Sequence, residues 1–315
     1  MQQCKKILVG VDLSAGDWQV ADEIPASTQS LINHAAEVAR AADGELVLQS
    51  VIELDPKTQW LLDHYGSGAS SVLDRAHDAI HKLVSDLKSH DVRASGSVAL
   101  GKAWVELTKQ GNAGEFDVVM VGTKRLGGVL GWLVGSTGRQ LLRNCKSPVW
   151  IHKNTTRAPI EAVLVATDFS PVADESLELG VRVAAAENAT LHLLHVASLP
   201  SDSLLSWGNV AADKLDRARD HLLSDAKGEL AQRFATIDRD LLSKEPRQHL
   251  LTGEPADVIA DQVKQHKIDL LVMGTQTHQK EAWFTMGSTA ERLLTTLDCS
   301  LLAVKPADFV SPIHQ

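Results

Sequence analysis

A chain of 315 residues, 44% apolar and 23% charged, has the length of two ordinary domains and the composition of a water-soluble globular protein. A formal charge of −9 argues against a basic nucleic-acid groove, and the lack of any apolar run of about 18 residues argues against a membrane span. Three cysteines, Cys4, Cys145 and Cys299, without a Cys-x-x-Cys pair, are too few for a disulfide framework and fit a reducing compartment, so the cytoplasm is expected.

The elements predicted in chain order repeat. Lys6–Asp12 is a continuous apolar run ending in an acid, as expected of a strand buried on both faces. Leu31, Ala35, Val38 and Ala39 then mark a helix. A second strand is expected over Glu45–Val51, followed by a long charged helix containing Leu73–Ala76. A third strand, Ser95–Leu100, closes at Gly101 before a helix opening at Ala103. Asp117–Val121 reads as the fourth strand and Ser147–Ile151 as the fifth, with a helix between them. After a polar linker near 153–159 the order recurs: Ala162–Asp168, a helix with Leu177 and Val181, Thr190–Val196, a charged helix with Leu215–Ala218, Gln248–Thr252 closed by Gly253, a helix opening at Pro255, Asp269–Met273 and Ser300–Val304. Alternating strands and helices predict a parallel sheet covered on both faces. Domains are expected over 1–155 and 156–315. The halves differ at 16–27, an insertion without a counterpart after Asp168.

The glycine loops carry the chemistry. Gly122-Thr123 is followed, nine residues beyond Arg125, by Gly135-Ser136-Thr137; Gly274-Thr275 is followed, nine beyond Thr277, by Gly287-Ser288-Thr289. In an open parallel sheet the ligand crevice lies outside the strands' carboxyl ends. Free N–H groups at a helix start suit phosphate oxygens. Asp12 and Asp168 are placed to accept from ribose hydroxyls, or to serve as loop and cap residues; each Gly-Ser-Thr triplet fits an anion cradle or an ordinary cap.

This order, with an acid after strand one and G-x-x-[G]-(nine)-G-[ST], resembles the universal stress protein family across essentially the whole chain, as two tandem domains. The run Leu297–Pro306 is similar to the tandem, E-type branch. The resemblance implies a five-stranded doubly wound, Rossmann-like α/β sheet in each half and a stress-response and signalling role. It also implies ATP or AMP as ligand, with Mg²⁺ accompanying ATP. Pairing through the last strand makes an intramolecular pseudo-dimer the expectation, with homodimerisation beyond it. The crevice positions are Val11, Asp12, Val51, Val121, Gly122, Thr123, Arg125, Gly135, Ser136 and Thr137 in the first half, and Thr167, Asp168, Val196, Met273, Gly274, Thr275, Gly287, Ser288 and Thr289 in the second. The family's nucleotide pattern has glycine where this chain has Arg125 and Thr277. Glycine there allows positive φ or close phosphate approach; Thr fits that geometry poorly, whereas Arg can pair with phosphate. With Lys124 and Arg125 against Gln276 and Thr277, the first half is expected to be the better phosphate site. A slow ATP hydrolase, and a scaffold holding another metabolite or a lipid precursor, are the alternatives.

No residue is assigned a catalytic or metal-ligating role. His192 and His195 lie three apart on one strand and face opposite sides. His278 is placed above the second site, and no ligand set has the spacing of a structural zinc site. Cys145 and Cys299 read as small core hydrophobes, and Trp132 and Trp283 as covers or anchors of the glycine loops.

Overall fold

A computed structural model describes residues 5–14, 24–66, 68–113, 116–125, 132–153, 159–198, 212–275 and 286–313. The chain divides into two compact units, one built on Met1–Ala158 and the other on Pro159–Ala282 with Met286–Ala307. From Asp308 onward the chain groups with the first unit. The reason is local: Ser311 Oγ donates to the Asn144 carbonyl (2.6 Å) and Asn112 Nδ2 to that of Ile313 (3.2 Å).

The first unit comprises β1 (Lys6–Val11), α1 (Ala26–Ala41), β2 (Glu45–Ile52), α2 (Pro56–Tyr65), α3 (Gly68–Ser89), β3 (Arg93–Leu100), α4 (Ala103–Asn112), β4 (Val118–Gly122), the two-residue strands β5 (Lys124–Arg125) and β6 (Trp132–Leu133), α5 (Ser136–Asn144) and β7 (Val149–His152). Its five long strands are all parallel, in the order β3-β2-β1-β4-β7. Continuous apolar runs produce this sheet because both faces are covered: Ile7, Leu8, Val9, Leu46, Leu48, Val119 and Met120 are fully buried. Two glycines locate the layers. A side chain at Gly10 would meet Leu107 of α4 at 2.9 Å, whereas Gly122 faces Leu31 of α1. Register puts Gly10 and Gly122 on opposite faces, so the sheet is doubly wound.

The second unit repeats the plan: β8 (Ala162–Ala166), α6 (Pro171–Ala186), β9 (Thr190–Ala197), α7 (Ala212–Ala235), a short 3₁₀ turn (Arg239–Leu241), β10 (Arg247–Thr252), α8 (Pro255–Gln265), β11 (Leu270–Gly274), α9 (Ser288–Thr296) and β12 (Ser300–Val304). Its parallel order is β10-β9-β8-β11-β12. Each half ties strand one to strand four with a carboxylate. Asp117 Oδ2 accepts from the Lys6 N–H (2.9 Å), and Asp269 Oδ2 from those of Glu161 and Ala162 (2.8 and 3.1 Å). Gly101 and Gly253 close the third strands at φ +142°, a conformation that side-chain-bearing residues rarely adopt.

The expected strands are present to within two residues at each end. The helix α2 was not anticipated, although its start is legible: Asp55 accepts from the N–H groups of Lys57 and Thr58 (3.0 and 3.2 Å), and Pro56 fills the first helical position. None of its residues is buried, which is why no apolar periodicity announced it. Cys145 and Cys299 are buried, as their sequence context suggests. Among the described residues no helix is long and apolar enough to cross a membrane. The greater part of the 16–27 insertion, the loop residues 126–131 and 276–285 with Thr277, His278 and Trp283, and Cys4 lie outside the described residues.

Candidate functional site

Strand order reverses between β1 and β4, and between β8 and β11, so a crevice opens at those carboxyl ends. In the first unit this brings Val11, Asp12, Val51, Val121, Gly122 and Thr123 to one rim, with α5 starting beside it. Gly122 is exposed, and an added Cβ would meet nothing closer than 3.9 Å. Thr123 is 9% exposed; its N–H donates to the His152 carbonyl (3.0 Å), while its Oγ1 has no hydrogen-bond partner among the described residues. A buried hydroxyl without a partner is costly unless a ligand or water completes it.

Helix α5 begins after Gly135 with Ser136 and Thr137. Its N-cap residue is Gly135, which offers no capping side chain, and no acid lies in its first turn. Arg139 stands exposed in that turn. An uncapped helix start with a cation nearby attracts anions, worth about 0.3–1 kcal/mol at an exposed site. Arg125 pairs with Trp132 across β5 and β6. An extended ladder is open to any L-residue, so the absent glycine creates no backbone strain there.

The second unit has the same skeleton with different contents. Thr275 is 2% exposed and its Oγ1 already donates to the Val304 carbonyl (3.2 Å). A Cβ on Gly274 would lie 2.8 Å from Val172, so this glycine is needed for packing against α6. Gly287, ahead of Ser288 and Thr289, donates its N–H to the Thr275 carbonyl (2.8 Å), and α9 carries Glu291 in its first turn where α5 has Arg139. Met273 is buried on β11.

The ends of β8 and β9 carry an aromatic pair. Phe169, at φ +66°, stacks on His195 with ring centroids 4.0 Å apart. His195 Nδ1 lies 2.8 Å from the Thr167 carbonyl oxygen, and the Arg233 guanidinium lies 4.8 Å over the Phe169 ring. Arg233 also donates to the Phe169 carbonyl (2.9 Å) and to Asp174 (2.7 Å). Strand register aligns Phe169 with Leu13 and His195 with Ser50 of the first unit, so that unit carries smaller groups at both places. Val196 lies just beyond this stack.

Asp12 and Asp168 behave alike. Oδ1 of each accepts from the N–H and hydroxyl of the serine two residues on, Ser14 (3.0 and 2.5 Å) and Ser170 (3.1 and 2.5 Å). Ser170 in turn caps α6. Both acids are exposed turn-forming groups at the crevice rim. Two cavities formed by described residues lie elsewhere. One of about 440 Å³ lies near Lys88, Arg93 and Glu45, and one of about 410 Å³ lies between α6 and the end of α7 near Asp174 and Arg233.

The sequence reading paired His192 with His195 and found opposite faces; the contacts agree, since their partners are different. It missed the neighbours that the β9–β10 register supplies: His192 Nδ1 lies 3.0 Å from His249 Nε2, with His266 alongside. The signal available was His249 two residues along from the register partner of His192.

Two doubly wound α/β units, each with a glycine ending its fourth strand and a Gly-Ser-Thr helix start near the strand-end crevice, define a tandem Rossmann-like architecture. The chain belongs to the universal stress protein family: the family model matches residues 3–153 and again 159–305. A universal stress protein E homolog of Haemophilus influenzae is 26% identical over 176 residues, 53% of this chain and 55% of that one. Universal stress protein E of Escherichia coli K12 is 26% identical over 190 residues. The match thus spans just over half the length of these E-type relatives. Universal stress protein A homolog 1 of Coxiella burnetii is 30% identical over 145 residues, 45% of this chain and 94% of that one. A universal stress protein from Archaeoglobus fulgidus shares the fold over 96% of this chain and 99% of its own, at TM-score 0.69 and 19% identity.

Proposed function

We propose that the chain is a tandem nucleotide-binding stress-response and signalling module, not an enzyme, acting in the cytoplasm, and that its first unit holds one adenine nucleotide, ATP or AMP. The observation that carries this reading is the uncapped start of α5, free of acids and flanked by Arg139, beside the open Gly122 and the unpartnered Thr123 hydroxyl. These residues fit a phosphate-bearing ligand. The second unit does not: Phe169 and His195 fill the strand ends, Thr275 is already bonded, and Glu291 stands in the helix's first turn. Phosphates would lie against the Gly135–Thr137 amides, and Arg125 would add positive charge. Mg²⁺ with ATP would offset the remaining phosphate charge. Homodimerisation belongs to the same proposal and is read by sedimentation.

Calorimetric titration with ATP, and separately with AMP, in the presence of Mg²⁺ tests the reading. One site per chain is expected, weakened roughly fivefold or more in Arg139→Glu, since about 1 kcal/mol at a helix start corresponds to that factor. Arg125→Ala should weaken it further. Unchanged affinity in both variants would remove the assignment. Phosphate release above that of an Arg125→Ala control would favour the slow-hydrolase alternative, and a different bound mass would favour a metabolite or lipid-precursor scaffold.

A further inference from the structure

We propose that His192, His249 and His266 form a site for a divalent transition-metal ion of the zinc class in the second unit. One ring nitrogen from each can be chosen so that all three lie within 4.8 Å of one another. His192 Nδ1 and His249 Nε2 are 3.0 Å apart, and the three ring centroids are 4.8–5.2 Å apart. Zinc–nitrogen bonds of about 2.0–2.1 Å in a tetrahedron set ligand nitrogens roughly 3.3 Å apart. The strand pair is therefore already at chelating distance. Closing the third edge needs only a small swing of His266, a part-exposed ring at the C-cap of α8.

The ligands come from three elements. His192 is the third residue of β9, His249 the third of β10, and His266 ends α8. Because His249 aligns two residues beyond the β10 partner of His192, both rings leave the same face of the sheet. His192 is 2% exposed, whereas the other two are intermediate, so an ion has a way in and a coordination position open to water. Arg247, a nearby cation, works against any ion held there and weakens the site.

The duplicated fold provides an internal control. Register and the matched strand-closing glycines align His192 with Val47, His249 with Ser97 and His266 with Gly114. The first copy builds the same strands without a single histidine at these places. The scaffold therefore does not require them, yet all three occur together in the second copy and touch one another. One buried ring with two part-exposed rings against it, none needed by the duplicated scaffold, is an arrangement that a shared ligand would explain. The trio sits toward the amino ends of β9 and β10, away from the nucleotide rim. An ion there would tie the edge strand β10 to the end of α8, and binding to the folded state alone would raise that unit's resistance to unfolding.

Metal-free chain is titrated with Co²⁺ and with Zn²⁺ against a chromophoric chelator. Saturation at one ion per chain is expected, with the visible d–d bands of four-coordinate cobalt and a zinc-dependent rise in melting temperature. Removing a group that merely orients a ligand costs about 10- to 100-fold in metal affinity. His249→Gln and His266→Gln, each removing a ligand, should cost at least the upper end of that range and abolish the melting shift. His221→Gln, on an exposed ring of α7, should change nothing. Far-UV circular dichroism of the two part-exposed variants confirms that they fold. No saturable binding by the wild-type chain, or affinity unchanged in both ligand variants, or equal loss in His221→Gln, overturns the proposal and leaves the trio a neutral hydrogen-bonded cluster.

Discussion

His34 of α1 and His152 at the end of β7 stack at 5.0 Å, and the buried Trp150 ring meets His34 edge-on at 5.1 Å. His34 is 7% exposed and its Nε2 has no partner, as is the case for His152 Nδ1. Burial lowers the His34 pKa from 6.5 to about 4; burial, with the nearby His34 ring, lowers that of His152 to about 3. In both cases the unfolded chain binds the proton first. The stability linked to these rings is therefore fully present above pH 6.5 and is lost as the pH falls toward 4 and 3. Each ring contributes about 1.36 kcal/mol per pH unit in that window. From pH 6.5 to about pH 5 this is roughly 2 kcal/mol per ring, against a typical total of about 5–15 kcal/mol. The substitution His34→Leu removes one titrating ring and one orphaned nitrogen. Urea unfolding at about pH 7 and pH 5, with pulsed hydrogen exchange of Val149–His152 assigning the transition to the first unit, measures the effect. Wild type should lose several kcal/mol between the two pH values, and His34→Leu about 2 kcal/mol less. An identical pH dependence in the two proteins would refute the view that burial keeps His34 neutral.

The paired glycines separate packing from ligand access. Gly274→Ala drives a methyl group toward Val172, 2.8 Å away, and should destabilise the second unit by about 1–3 kcal/mol in urea melts. Gly122→Ala meets open space, so it should leave stability within about 0.5 kcal/mol while lowering nucleotide affinity. Replacing Phe169 by Leu, His195 by Ser and Glu291 by Arg installs the first unit's residues at the strand ends and in the helix's first turn. The triple variant should show two nucleotides per chain where wild type shows one, and unchanged stoichiometry would mean that the Phe169–His195 stack and Glu291 are not what keeps nucleotide out of that unit.

The sheet was legible because its determinants are local. Buried parallel strands write themselves as apolar runs, and two copies of one plan confirmed each boundary, down to Asp117 and Asp269 at matching strand starts. The helix starts at Ser136 and Ser288 were legible for the same reason. What the sequence concealed depends on register between segments far apart in the chain. Phe169 looks like an ordinary loop residue until strand order places it on His195. His192, His249 and His266 have no motif spacing, because a strand pair and a helix end bring them together. Of the two uses for the family's glycine, positive φ and close phosphate approach, the first does not apply at Arg125, because the β5–β6 ladder gives that position an extended backbone. Helix α2 escaped because it buries nothing, leaving only Asp55-Pro56 to announce it.

The account rests on an asymmetry between two copies of one fold: an open anion cradle in the first unit and a filled crevice in the second. Native mass spectrometry of the full chain with ATP and Mg²⁺, repeated with Arg139→Glu and with the Phe169→Leu, His195→Ser, Glu291→Arg variant, reads that asymmetry as a count. The account predicts one nucleotide on the wild-type chain, fewer on Arg139→Glu and two on the triple variant. One nucleotide held equally well by wild type and Arg139→Glu, or none on any of the three, would contradict it.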